Sequence, residues 1–166
     1  MRDQAQMALQ DEMLRLEEDC QHSAKGHYAA SEIWGVAHYI VGLPATVLAA
    51  VAGHQALNSN EQLAGSIALL AAAITAVLTF LDPASKRQSH LSSANQYNTL
   101  EKACRLIRTV KSLTQGHSGC LSEFEKLAEE RKHLNLSSPH IPSVAYVIGK
   151  RRITKGQTKY RVDDVG

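Results

Sequence analysis

Hydrophobic residues are unevenly distributed along this chain. Two runs dominate: IWGVAHYIVGLPATVLAAVAG from Ile33 to Gly53, and LAGSIALLAAAITAVLTFL from Leu63 to Leu81. From Ile33 to Leu81 the one formal charge is Glu61. Each run approaches the ~20 residues with which an α-helix crosses a hydrocarbon layer of about 30 Å. The connection between them, HQALNSNEQ, is short enough to predict an antiparallel helical hairpin. Two helices buried in a soluble protein would read the same way. They would need other apolar helices around them, and none is visible in so short a chain.

The flanking segments are polar, with helical periodicity. Leu9, Met13, Leu16 and Cys20 repeat at 4-3-4 spacing. This predicts a helix over about Asp3–Ser31 with a short coiled-coil-like seam, running directly into the first apolar segment. A second helix is expected over Ser85–Thr114, with Tyr97, Leu100, Cys104, Ile107 and Val110 along one side and Gly116 as a stop. In CLSEFEKLAEERKHLN, residues Leu121, Phe124, Leu127, Ala128 and Leu134 predict a third, and Ser122 with Glu125 has the form of a capping box. LSSPHIPS then breaks the pattern. Beyond it, Val144–Ile148 has the look of a strand, with Ile153 onward as its hairpin partner; a solvated tail without fixed structure is the other reading. The expectation is an all-α membrane protein: a two-transmembrane helical hairpin continued by long cytoplasmic helices, with a short basic C-terminal tail. Its segments are an N-terminal cytoplasmic helix (1–32), the hairpin (33–81, spans 33–53 and 63–81), C-terminal cytoplasmic helices (82–136) and the tail (137–166).

Small residues recur at helical spacing in both apolar runs. Ala64, Ala68, Ala72 and Ala76 form one ladder, flanked by Thr75 and Thr79; Gly42, Ala45, Ala49 and Gly53 share a face in the first run. Lipid supplies no hydrophobic drive for helix association, so close backbone approach at small residues replaces it. Either both ladders serve the hairpin, or one serves contact between subunits. Pro44 removes a backbone donor, which predicts a kink. His38 shares the face of Gly42 and Ala45. It either marks a polar path or reaches the nearby interface.

Charge fixes an expected topology. The 18 Lys and Arg residues all lie outside the hairpin, and none is in the loop His54–Gln62. The positive-inside rule then puts both termini in the cytoplasm. Lys86 and Arg87 fall where headgroups would be, and Trp34 and Tyr39 fall near the same interface. In the tail, Lys150, Arg151, Arg152, Lys155, Lys159 and Arg161 outnumber Asp163 and Asp164, which suits anionic lipid or an acidic partner. A net charge of +2 is too small to indicate nucleic acid. Cys20, Cys104 and Cys120 have no metal or disulfide spacing and read as idle thiols. The N-terminal segment is too charged for a secretory signal. There is no phosphate-binding glycine loop and no HExxH, and the eight histidines are dispersed. No enzymatic activity, metal or cofactor is expected.

The stretch FLDPASKRQSHLSSANQYNTL resembles the segment after the second transmembrane helix of SLATT-domain proteins. These are two-transmembrane effectors associated with nucleotide-second-messenger defence systems. The matching residues are Phe80, Asp82 and Pro83 at the membrane exit, then His90, Ala94, Tyr97 and Leu100 on one helical side. The resemblance covers about residues 5 to 135 and leaves out the tail beyond Pro139. It implies a prokaryotic inner-membrane effector that assembles with copies of itself. Assembly would form a pore that depolarises or permeabilises the membrane in abortive-infection defence against phage. The alternative is a non-conducting anchor or scaffold for a cytoplasmic sensor or enzyme. The resemblance also implies a separately encoded sensor or nucleotide-generating partner.

Overall fold

In the computed structural model, residues 2–158 and residue 160 are described. The first helix, α1, is unbroken over Arg2–Leu57. Apart from Pro44 its sequence holds no strong helix breaker, and the helix continues through that residue. Thr46 Oγ1 donates to Leu43 O at 2.8 Å just beyond it. Then come α2 (Glu61–Leu81), α3 (Pro83–Leu106), a π-helical turn (Ile107–Lys111), α4 (Ser112–Thr114), α5 (His117–Ser137) and α6 (Ser143–Thr154). No strand occurs among the described residues. Contacts divide the chain into two units: residues 1–30 with 89–166, and residues 31–88.

In the first unit the seam expected on α1 is the core. Leu9, Met13, Leu16, Cys20 and Ala24 pack with Tyr97, Leu100, Cys104, Ile107 and Cys120. Phe124, Leu127 and Leu134 of α5 close the edge. The 97-100-104-107 spacing on α3 is the same 3-4-3 rhythm, so the two helices present matching stripes. Charged pairs flank the seam: Arg108 Nε donates to Glu17 Oε2 at 2.9 Å, and Arg131 Nη2 to Asp19 Oδ2 at 3.0 Å.

Val110 departs from expectation. It is 51% exposed, although it lies three residues beyond buried Ile107. The 97-100-104-107 rhythm continues at residue 111, so Val110 falls about 100° off the stripe in a helix of 3.6 residues per turn; it lies within the π turn Ile107–Lys111. The capping box at Ser122 and Glu125 is also corrected. Helix α5 starts earlier, at His117, with Gly116 in extended backbone as its N-cap and no side-chain cap. Ser122 and Glu125 are exposed positions inside that helix.

The tail is corrected as well: Val144–Ile148 lies in α6 and is not a strand. Pro142 precedes the first turn. Ala145 and Gly149, one helical turn apart, are buried, while Val144 and Val147 stay exposed. Gly149 is needed where it is, because a Cβ there would lie 2.8 Å from Gly26 N and 2.9 Å from Lys25 C of α1. A short apolar run does not distinguish strand from helix by periodicity, and here the small residues decide it. The expected partner strand begins within α6 at Ile153. Lys159 and Arg161, with Asp163 and Asp164, lie outside the described residues.

Gly149→Ala should destabilise the protein by roughly 1–3 kcal/mol, since backbone rather than a flexible side chain must give way. Gly119→Ala places its methyl at an ordinary 3.6 Å from Gln115. It should be neutral or gain up to about 1 kcal/mol from helix propensity. Thermal unfolding followed by far-UV circular dichroism measures both. Equal stabilities would rule out a tight α1–α6 contact.

Candidate functional site

The unit of residues 31–88 contains both apolar runs, and each lies in a helix long and apolar enough to cross a membrane. Only 17% and 11% of the residues in their most apolar windows are buried. Outward on α1 are Val36, Ile40, Leu43 and Val47; outward on α2 are Leu69, Leu70, Val77 and Phe80, the last 92% exposed. The chain itself leaves these faces uncovered.

The hairpin closes along a seven-residue rhythm. Ala45 and Ala52 of α1 and Ala64 and Ala71 of α2 are its buried alanines. A Cβ at Gly42 would meet Leu78 Cδ2 at 3.6 Å. The four-residue ladders are therefore only partly used within the hairpin. Ala49, Ala68, Ala72 and Ala76 are exposed, and a methyl group added at Gly53 would meet nothing within 4 Å. Ala49, Gly53, Ala68, Ala72 and Thr75 instead come together along one shallow groove of ≈ 710 Å³. His38, Ala76 and Thr79 are not part of its wall. Thr75 Oγ1 donates to Ala71 O at 2.8 Å and Thr79 Oγ1 to Thr75 O at 2.9 Å. His38 is half-buried, its ring edge-on to Tyr39, and its Nδ1 is buried without a hydrogen bond.

The joints on either side of α2 are made by local polar chemistry. At the hairpin turn Asn60 N donates to Gln55 O at 3.1 Å and Ser59 N to Ala56 O at 3.2 Å. That is a Schellman closure, and Ser59 occupies its left-handed position with φ 61. At the other end Asp82 is the entire linker. Its backbone is left-handed (φ 41), and its N–H donates to Leu78 O at 3.1 Å, ending α2. Its carboxylate Oδ1 accepts from Ser85 N at 3.2 Å, starting α3. Pro83 occupies the first helical position, where no N–H is missed. Lys86 places its ammonium 4.5 Å from the centre of the Trp34 ring, and Arg87 packs over Gly35.

In the other unit, two of the residues that carry the resemblance form a buried polar cluster. His90 Nδ1 lies 2.9 Å from His27 Nδ1, and Tyr97 stacks on His27 at 5.5 Å. The Tyr97 hydroxyl donates to Asn135 Oδ1 at 2.7 Å; Leu100 lies in the core and Ala94 is fully buried. His27 is not among the residues that the sequence singles out, although a signal exists: it lies seven residues beyond Cys20, on the same heptad stripe. Burial, then the neighbouring His90, lower the His27 pKa to about 4. Burial lowers that of His90 too. Both rings are neutral near pH 7, so one Nδ1 donates and the other accepts. The three cysteines are buried and free. Burial pushes Cys20 and Cys104 up to about 12, which makes them poor nucleophiles. No cluster of three or more metal-ligating side chains occurs among the described residues.

Comparison with family models, curated proteins and solved structures gives no match. The likeness to SLATT-domain proteins rests on the residues quoted above.

This geometry has two measurable consequences. The unfolded chain takes up a proton at His27 below about pH 6.5, whereas the folded chain resists until about pH 4. Stability should therefore be level above pH 6.5 and fall as the pH drops through that window, by a total on the order of 3 kcal/mol. Melting temperature against pH measures it, and His27→Gln should flatten the slope. At the joint, Asp82→Ala loses a cap and a residue tolerant of left-handed backbone, costing about 1–2 kcal/mol, while Asp82→Asn should retain most of the stability. Identical melting of the Ala and Asn variants would remove the capping role.

Proposed function

We propose that this chain is an integral membrane protein that oligomerises through its hairpin, forming a pore that depolarises the membrane. The observation carrying the reading is the uncovered apolar surface of residues 31–88. Large aliphatic side chains face outward, and most of the apolar windows are unburied. Lipid is the solvent that suits such a surface, and α-helices are the form in which backbone enters it. The absence of Lys and Arg from the loop supports cytoplasmic termini. One hairpin encloses no channel, so conduction requires further copies. The small-residue groove holding Ala68 and Ala72 is a surface on which another helix packs closely. The family resemblance extends the proposal to antiviral defence, with a separate partner as trigger.

One observation favours a second reading, a non-conducting membrane anchor. The hydroxyls of Ser66, Thr75 and Thr79 all donate to carbonyls of their own helix, so α2 needs no water-filled path to satisfy them.

Expression in bacteria with a potential-sensitive dye separates the two. The pore reading expects loss of membrane potential before loss of viability. Ala72→Leu, which fills the groove, should shrink the detergent-extracted oligomer and suppress depolarisation; Leu70→Ala on the outer face should do neither. Cells that die with their potential intact would leave the anchor reading in its place.

A further inference from the structure

Next to the histidine pair, the unit of residues 1–30 and 89–166 holds a cavity of ≈ 550 Å³. This is within the roughly 300–1,000 Å³ of small-molecule sites. His27 and Tyr97 form its inner wall, each about 2% exposed. Ser23, Asn135, Ser138, His140, Ser143 and Tyr146 form the rest of its polar lining. Among the described residues that line it, none is Asp, Glu, Lys or Arg.

The hydrogen-bonding inventory of this wall is unbalanced towards donors. The Tyr97 hydroxyl occupies Asn135 Oδ1, which leaves the Asn135 NH₂ as a donor. Ser138 Oγ is buried beside the Tyr97 phenol without a well-formed hydrogen bond. Of the two Nδ1 atoms 2.9 Å apart, one carries the proton. When His90 donates, His27 is protonated at Nε2 and offers a second N–H. Ser143 opens α6, a helix of 12 residues whose first turn has no side-chain cap. Its free N–H groups add to the donor excess. Neutral donors without a competing carboxylate suit the oxygens of a small oxyanion.

We propose that this cavity binds a small oxyanion group, of which inorganic phosphate is the simplest form. Hydroxyl, amide and imidazole N–H groups hold the oxygens, and the bound anion selects the tautomer in which His90 donates to His27. The site is independent of the pore reading: it is tested by binding, and its failure leaves conduction untouched.

The test uses the full chain in detergent, labelled with ¹⁵N-histidine. Inorganic phosphate is titrated against chloride at matched ionic strength, with calorimetry in parallel. Phosphate should give a saturable shift at the imidazoles of His27 and His140, and chloride a small linear one. His140→Ala and Ser143→Ala, both at exposed positions, should each weaken binding about tenfold with melting temperature unchanged. A phosphate response as linear as that of chloride overturns the site. So does a saturable response that survives both substitutions.

Discussion

From Ile33 to Leu81 the chain carries one formal charge, Glu61, and it leaves the helices it builds there largely uncovered. That imbalance governs the rest of the molecule. Burying apolar area is worth about 25 cal/mol per Å², and side chains such as Leu43, Val47, Leu69 and Phe80 gain little of it within the chain. The first unit has its own closed core of Met13, Cys20, Tyr97, Leu100 and Cys104. It also leaves side chains such as Leu113, Leu136 and Val147 exposed, but these lie outside a closed core. The two units therefore make opposite demands on their surroundings.

The joints between helices are short and polar. A single residue, Asp82, stops α2 with its backbone and starts α3 with its carboxylate. Three residues, Asn58–Ser59–Asn60, turn the hairpin through backbone hydrogen bonds. Each arrangement satisfies groups that a helix end otherwise leaves open. Such compact joints leave the chain little slack at either end of α2. The His27–His90 contact acts similarly inside the other unit. Two imidazoles replace apolar packing at one step of the seam. They also fix a partner relation between α1 and α3 that a pair of leucines would leave free to slide.

Much of this is legible in the residues. The two apolar runs, the 4-3-4 seam, the continuation of α1 into the first run and the side of α3 bearing Tyr97 and Leu100 all derive from period and composition, whereas His90 joins that side only through the resemblance. The departures have particular causes. Val110 leaves the stripe because the 97-100-104-107 rhythm continues at residue 111, and the π turn over Ile107–Lys111 has no signature in hydrophobic spacing. Helix α5 starts earlier than its apolar pattern suggests because Gly116, a stop for one helix, is also the N-cap of the next. Helix α6 has the valine and isoleucine content of a strand, but Ala145 and Gly149 outweigh it, and their meaning depends on Gly26 far away in sequence. His27 emerges only when the seam is carried one heptad further. The groove residues are recognisable as small, but only the folded hairpin shows that the seven-residue set closes it while much of the four-residue set is left outside.

That last distinction bears on what the small residues are for. In the first unit, glycine is consumed by contact: a Cβ at Gly149 would sit 2.8 Å from the backbone of Gly26, so the close approach is already made. In the hairpin part of the same chemistry goes unused. A Cβ at Gly53 or Gly65 would meet nothing within 4 Å, and Ala68, Ala72 and Ala76 are exposed. Glycine within a helix costs about 0.5–1 kcal/mol relative to alanine, and alanine gives up the burial that leucine would gain in an apolar solvent. Intrachain packing provides no return for either. Under the proposed function, a surface that forgoes stability in the isolated chain, in register along two facing helices, would be covered by a helix from outside the hairpin. In lipid, association depends on backbone proximity rather than on expulsion of water, and the proposed oligomer would set a second copy of this hairpin against that surface.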